Sequence, residues 1–249
     1  MGHLVKNESF DLHVKTKEWP KELDERLGYD LCAEEQDFLR KRRKYVAAAI
    51  KKTLQLQKEL KDDEVPVIAV MTTGGGTRSF TAMYGSILGL QKLNLLDCLT
   101  YLTGLSGTTW TMCKLYEDPD WSQKYLEEAI NKARRQVTKS KFNCFSSDKL
   151  KYYYDELNQK IKEGHSTSFI DLWGLIIESM FHDEKDNHTL SDQRMAVNEG
   201  QNPFPIYLAV SLKENYSAQD FKEDFGNEFF MGRLMKKFPE IRICFMQGK

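Results

Sequence analysis

The chain has 249 residues, of which 41% are hydrophobic, and this composition is enough for the core of one large domain or two small ones. Its 36 basic and 37 acidic side chains give a formal net charge of −1, which argues against a nucleic-acid-binding protein that relies on overall charge. No apolar run approaches the ~20 residues that cross a bilayer, and the first residues lack the apolar centre of a signal peptide. Five irregularly spaced cysteines, none in a Cys-x-x-Cys pair, predict buried free thiols in a reducing compartment. We therefore expect a cytoplasmic protein whose membrane contact is peripheral.

The N-terminal part is predicted to hold a polar lead and one long helix. Residues 1–23 have little periodicity, and we expect them to be poorly ordered. Residues 33–60 predict a helix, because apolar side chains recur at helical spacing and the acidic start suits the helix dipole. The basic run Arg-Lys-Arg-Arg-Lys at residues 40–44 is interpreted as a solvated helix face. The alternative is attraction to anionic lipid headgroups, worth about 1 kcal/mol per basic residue near the surface.

Three consecutive glycines, residues 74–76, follow an apolar run at residues 65–71 that predicts a strand buried on both faces. Glycines let the backbone adopt positive φ, and they let a substrate oxygen approach exposed N–H groups. From Thr77 onward the apolar positions recur at helical spacing, so we expect the glycine turn to open a helix whose dipole favours an anion. An arginine would lie in its first turn.

A second glycine-rich segment, Gly-Leu-Ser-Gly-Thr at residues 104–108, follows the apolar residues 98–103. Strand, sharp turn and helix form the expected context of a nucleophile elbow, in which a serine lies on a strained turn. Gly104 and Gly107 supply the small flanking residues that this turn needs, whereas Thr108 stands where such elbows usually have a glycine. Alone the pattern favours a structural turn, but a preceding oxyanion candidate makes a nucleophile the better interpretation.

Three helices are predicted downstream, at residues 121–141, 147–162 and 169–181. The last is apolar but too short to span a membrane, and it suits a buried helix packed on the sheet. Residues 206–212 predict another central strand, with Pro203 and Pro205 interpreted as breakers before it.

Other sites were weighed and not favoured. None of the five histidines has a motif around it, so surface or helix-end positions are favoured over a role in activating a serine. Metal binding by His182, Asp183, Glu184 and Asp186 is an alternative to the favoured interpretation, a helix that ends in solvent, so no metal site is predicted. A nucleotide site at the three glycines would need a phosphate-binding lysine or a Gly-x-Gly-x-x-Gly pattern, and both are absent.

Several ordered motifs carry a family resemblance. The stretch Met-Thr-Thr-Gly-Gly-Gly-Thr-Arg at residues 71–78, followed by Ser106, resembles the cytosolic phospholipase A2 family, particularly its epsilon, delta, beta and zeta-like members. That family is related in plan to patatin-type lipases. The similarity covers nearly everything from about Trp19 to Gly248. Further matching stretches are residues 30–35, 93–98, 103–110 and 225–232.

The resemblance implies an α/β fold with a patatin-like, lysophospholipase-type central sheet flanked by helices and incomplete at the C-terminus. Residues 24–249 would form part of a catalytic domain. A serine–aspartate dyad is implied, with Ser106 as the nucleophile. The Gly75 and Gly76 amides would hold the oxyanion, and Arg78 would pair with the substrate phosphate, because a guanidinium bonds phosphate oxygens bidentately.

The chain departs from the family pattern in two places. The family's aspartate base lies farther downstream than Lys249, so the sequence predicts a truncated domain without it. Asp224 precedes Phe-Gly but falls in a segment that matches the family scaffold, and it is not assigned as the base. A family stretch is also absent between Lys222 and Asp224, through either splicing or a gene-model error.

By resemblance we expect an acyl hydrolase of glycerophospholipids and lysophospholipids. The alternative is an inactive truncated isoform that binds phospholipid or a full-length paralogue. The expected partner is a phospholipid membrane surface and not nucleic acid, and exposed apolar surface would favour association. No cofactor is expected on this chain, because calcium acts in family members through a targeting domain that is absent here.

Overall fold

The structure is a computed structural model in which residues 30–209, 228–230 and 233–248 are described. The predicted lead at residues 1–23 and the departure near Asp224 lie outside the described residues. The helices are α1 Ala33–Leu54, α2 Thr77–Lys92, α3 Gly107–Leu115, α4 Glu127–Thr138, α5 Ser147–Lys162, α6 Phe169–Phe181 and α7 Ile243–Gln247. The strands are β1 Ala69–Val70, β2 Tyr101–Leu105, β3 Phe204–Leu208, β4 Glu228–Phe230 and β5 Arg233–Lys236.

A parallel three-stranded sheet in the order β1-β2-β3 lies at the centre of the fold, and β4 and β5 form a separate antiparallel pair. In the central sheet Leu102 is opposite both Val70 and Pro205, and its side chain is fully buried. Parallel strands joined by helices need both faces covered, which explains why residues 102–104 of β2 are all buried. The predicted α/β class with a central sheet flanked by helices is confirmed.

Two strand predictions were wrong in their bounds. Of the predicted strand at residues 65–71, only Ala69 and Val70 pair with a neighbour. Pro205 is not a breaker but a member of β3, which begins at Phe204. Among the described strands β3 pairs only with β2, so its other edge has no partner there. A proline, which has no N–H group to donate to a neighbouring strand, is tolerated at such an edge. Residues 210–212 of the predicted strand lie outside the described residues.

Helix predictions were correct in position, and two were too long. Helix α1 ends at Leu54, because Gln55 adopts a left-handed conformation (φ 53°) and its N–H caps the carbonyls of Lys51 and Lys52. In the predicted helix at residues 121–141, only α4 is α-helical, after a short 3-10 turn at Trp121–Gln123. Helices α5 and α6 have the predicted bounds.

Helix α6 packs on other helices. The prediction that it packs on the sheet was wrong in this respect. The Phe181 ring lies 4.7 Å from that of Phe80 on α2 and 5.5 Å from that of Trp110 on α3. Ile177 is fully buried in the same core, whereas Phe169 at the start of the helix is 76% exposed. Residues 174–178 are all buried, so the middle of the helix is enclosed on every side while its N-terminal end is exposed.

The basic run on α1 is not a wholly solvated face. Arg42 is fully buried, and its guanidinium donates to carbonyls in the 3-10 segment before β2 and in the loop before β3. Those acceptors are Leu99 O at 2.8 Å, Gln201 O at 2.8 Å, Gly200 O at 3.1 Å and Asp97 O at 3.3 Å. Sequence could not reveal this, because the acceptors are backbone carbonyls of distant segments.

The cysteine prediction holds with one exception. All five cysteines are free; Cys98, Cys113, Cys144 and Cys244 are buried, and Cys32 is exposed. Burial raises the pKa of the Cys113 thiol to about 12, so it stays protonated and unreactive at neutral pH. Within the part of the chain that is described, no helix is both long and apolar enough to span a bilayer.

Candidate active site

The two predicted loops meet at one edge of the sheet. Residues 71–76, hereafter the glycine loop, connect β1 to α2, and Ser106 connects β2 to α3. Because β1 and β2 are adjacent parallel strands, both connections leave from their carboxyl ends. Thr72 fastens the glycine loop to β2: its N–H donates to Thr103 Oγ1 at 3.3 Å, and its hydroxyl donates to the Thr103 carbonyl at 2.5 Å. Sequence analysis missed this pair, since threonines in and beside strands are common.

Ser106 lies on a strained turn, as an elbow requires. Its φ of 55° and ψ of −125° are rare for a residue with a side chain, and such conformations cost roughly 1–3 kcal/mol. The residue is exposed at the N-terminus of α3. Gly104 must be small, because a Cβ there would lie 2.5 Å from Met112 Sδ.

Gly107 joins the elbow to the glycine loop by direct contact. A Cβ at position 107 would lie 2.0 Å from the Gly76 carbonyl oxygen and 2.4 Å from Ser79 Oγ. A Cβ at Gly74 would lie 3.6 Å from Ser106 Oγ, so that glycine borders the serine hydroxyl. The absence of side chains at these positions is what lets the two segments approach this closely.

The glycine loop leaves backbone donors unused. Gly75 and Gly76 have φ values of 152° and 60°, and the Gly76 carbonyl accepts bonds from Phe80 N and Ser79 Oγ, both at 3.0 Å. The N–H groups of these two glycines have no acceptor among the described residues. Free N–H groups beside a serine hydroxyl are the arrangement that stabilises an oxyanion.

Thr108 has a structural role at the position where a glycine was expected. Its hydroxyl accepts from the N–H of Leu105 at 2.8 Å and donates to the carbonyl of Leu105 at 2.9 Å. Both bonds close the turn around Ser106. The buried Thr108 therefore stabilises the elbow, although a threonine departs from the glycine expected at this position.

The electrostatics at this edge favour an anion. Helices α1, α4, α5 and α6 carry acidic side chains in their first turns, whereas α2 and α3 carry none and have no side-chain cap. The positive ends of both dipoles are thus uncompensated next to Ser106. Arg78 is exposed in the first turn of α2 and makes no ion pair within the described residues.

The described residues place no base on Ser106. No carboxylate or imidazole among them makes a hydrogen bond to its hydroxyl. His182 and Asp186, interpreted from sequence as a helix end in solvent, are instead largely buried and lie 3.5 Å apart (Nε2 to Oδ2). Asp183 is exposed, as expected, and pairs with Lys139.

Comparison with known proteins identifies the family. The family model described as "Lysophospholipase catalytic domain" matches residues 68–238. The chain is 52% identical to human cytosolic phospholipase A2 epsilon and 48% identical to the human delta enzyme, over 98% and 95% of its length. The solved structure of human GIVD cytosolic phospholipase A2 superimposes with a TM-score of 0.85 at 48% identity and covers 92% of this chain.

The parallel sheet flanked by helices, together with these likenesses, defines a domain of the patatin-like α/β class. The chain belongs to the cytosolic phospholipase A2 family. It spans about a third of the length of those relatives, 31% of the epsilon enzyme and 33% of the solved GIVD chain. The epsilon alignment runs over 266 positions, more than the 249 residues of this chain, so the relative contains internal residues without a counterpart here.

Proposed function

We propose that this chain is a phospholipid acyl hydrolase in which Ser106 is the nucleophile. The observation that carries the proposal is the strained Ser106 turn packed against a glycine loop whose N–H groups are unused. Gly75 and Gly76 are assigned to the oxyanion and Arg78 to the phosphate. None of the proposed reaction steps requires calcium.

The reaction follows from these groups. Ser106 Oγ forms a bond to the ester carbonyl carbon, and the carbonyl π electrons move to the oxygen, where the N–H groups of Gly75 and Gly76 stabilise the negative charge. The C–O bond to glycerol then breaks, and the lysophospholipid leaves with a proton. Water attacks the acyl-serine and releases the fatty acid. The base that takes the Ser106 proton is not among the described residues.

Arg78 would position the substrate through its phosphate. Arg78 is exposed, makes no ion pair in the described structure, and lies in the first turn of the helix that follows the glycine loop. A bidentate bond to phosphate fixes the ester relative to Ser106. The membrane surface would present such phosphates to the exposed elbow, which makes a peripheral, cytoplasmic location part of the same proposal.

Labelling with a fluorophosphonate ester probe tests the nucleophile. The GIVD relative is described in complex with methyl gamma-linolenyl fluorophosphonate, a class of reagent that phosphonylates activated serines. We expect labelling of the wild type and none of Ser106→Ala, while Ser86→Ala, an exposed helix position, keeps full labelling. Release of fatty acid from phosphatidylcholine vesicles should follow the same pattern. Equal labelling of Ser106→Ala would contradict the proposal.

The second candidate function is binding without turnover. It is favoured by one observation, the lack of a described carboxylate or imidazole on Ser106. In that case the folded wild type would not be labelled, and Ser106→Ala would bind phosphatidylcholine vesicles as tightly as the wild type. Arg78→Met should weaken vesicle binding under either function, since the phosphate contact is common to both.

A further inference from the structure

A second group of chemically active side chains lies at the opposite end of α3 from Ser106. Glu117 follows the last turn of that helix, and Asp186 and His188 lie in the connection between α6 and the 3-10 helix Ser191–Ala196. Each of the three side chains offers one ligand atom, and these atoms all lie within 4.8 Å of one another. An imidazole and two carboxylates are a ligand set that suits zinc.

Asp186 is held in place before any ligand arrives. Its side chain is buried, its N–H donates to Glu178 Oε1 at 2.9 Å, and its carbonyl accepts from Arg242 at 2.7 Å. Its Oδ1 lies 2.6 Å from His188 Nδ1 and also accepts the N–H of His188 at 3.0 Å. The backbone bonds fix the position of Asp186, whereas its bond to His188 Nδ1 has to break when a metal takes that nitrogen.

A cavity of about 390 Å³ adjoins the group, and one of its lining residues has a buried side-chain atom without a partner. Glu117, His188 and Gln193 line it. Gln193 is only 6% exposed; its Oε1 accepts from Tyr207 Oη at 2.7 Å, while its Nε2 has no partner among the described residues. The cavity leaves room for a water beside Glu117 and His188.

The local charges leave room for a cation. Glu117 faces one ammonium, Lys114, whose Nζ lies 3.0 and 3.2 Å from the two Glu117 oxygens and 3.0 Å from His182 Nδ1. Asp186 faces two imidazoles instead, with His188 Nδ1 at 2.6 Å and His182 Nε2 at 3.5 Å. Lys114 must also compete with any ion for Glu117.

We propose that Glu117, Asp186 and His188 form a zinc-type divalent cation site that ties the end of α3 to the connection after α6. The imidazole coordinates through its neutral form: its ring proton moves to Nε2, and the Nδ1 lone pair bonds the metal. Asp186 and Glu117 each give one oxygen, and a water completes a tetrahedral set. The site does not depend on turnover at Ser106, since it involves none of the proposed catalytic residues.

Titration of the tag-free full chain with Co²⁺ and Zn²⁺ tests the site. We expect one equivalent of Co²⁺ with tetrahedral ligand-field absorption that Zn²⁺ displaces. Asp186→Asn and Glu117→Gln should each weaken binding at least about tenfold. Asp183→Asn, an exposed carboxylate three residues away, should leave it unchanged. Lys114→Met should strengthen it, because the competing ammonium is gone.

Each other outcome overturns the proposal. The first is no uptake of Co²⁺, and the second is equal uptake by the Asp183→Asn and Glu117→Gln variants. The third is a strong thiolate-to-cobalt charge-transfer band, which would assign the ion to a cysteine such as Cys113 in the cavity wall. Glu117→Gln decides the matter if Asp186→Asn fails to fold, because Glu117 lies at the surface.

Discussion

Arg42 shows how one side chain can connect segments that sequence analysis treats separately. It bonds four backbone carbonyls across two loops, and burial lowers its pKa to about 10, which still leaves the guanidinium charged at neutral pH. A run of five basic residues predicts a solvated face because long cationic side chains are seldom fully buried. Arg42 is an exception because its guanidinium can donate hydrogen bonds to several carbonyls at once.

Replacing Arg42 should therefore cost far more stability than replacing its neighbour. We expect Arg42→Met to lower the free energy of unfolding by about 3–5 kcal/mol, because several buried carbonyls lose their donor. Lys44→Met, at an exposed position of the same run, should change it by less than about 0.5 kcal/mol. Urea unfolding followed by circular dichroism measures both. Equal effects would mean that the run is solvated after all.

At the scale of elements, the helices were easier to predict than the strands. The bounds of α5 and α6 follow from local signals, such as the Ser168–Asp171 capping box at the start of α6. Pairing partners instead determine where a strand begins and ends: β1 has two paired residues within a longer apolar run, and β3 includes Pro205. A single sequence does not contain the register of such long-range pairs.

The candidate site, like the fold, was predicted only in part from the sequence. Sequence identified both loops, because glycine and serine patterns record what a strained turn needs. It missed the bonds that hold them, those of Thr72 with Thr103 and of Thr108 with Leu105, since neither pair has a recognisable spacing.

The contact between the glycine loop and α3 leads to a prediction about elements. Gly107→Ala should destabilise the protein by about 1–3 kcal/mol, because its methyl group would collide with the Gly76 carbonyl. The matched change Gly85→Ala, in an open position of α2, should instead stabilise it by about 0.5–1 kcal/mol. Thermal unfolding of both variants provides the comparison. A neutral Gly107→Ala would show that the two segments are not in tight contact.

At the scale of the whole molecule, large apolar side chains are exposed in the described structure. Phe142 and Phe169 are 89% and 76% exposed, and Met71 beside the glycine loop is 83% exposed. Single exposed apolar residues are normal, but several aromatic ones predict an interaction surface.

We expect the purified chain to associate with itself for this reason. Sedimentation velocity over a concentration series should show the average mass rising with concentration. The double variant Phe142→Ser, Phe169→Ser should shift this rise to higher concentration, while Ser166→Ala, also exposed, should not. A wild type that stays monomeric throughout would contradict the expectation.

The contact of Gly107 with the Gly76 carbonyl has a dynamic consequence. Because the two turns touch without intervening side chains and are fastened by Thr72, they can shift only as one rigid body. The glycine loop therefore cannot swing open as a lid over the serine on the microsecond-to-millisecond timescale typical of such motions. Any gating of ligand entry to this edge is therefore expected from another segment and not from the glycine loop.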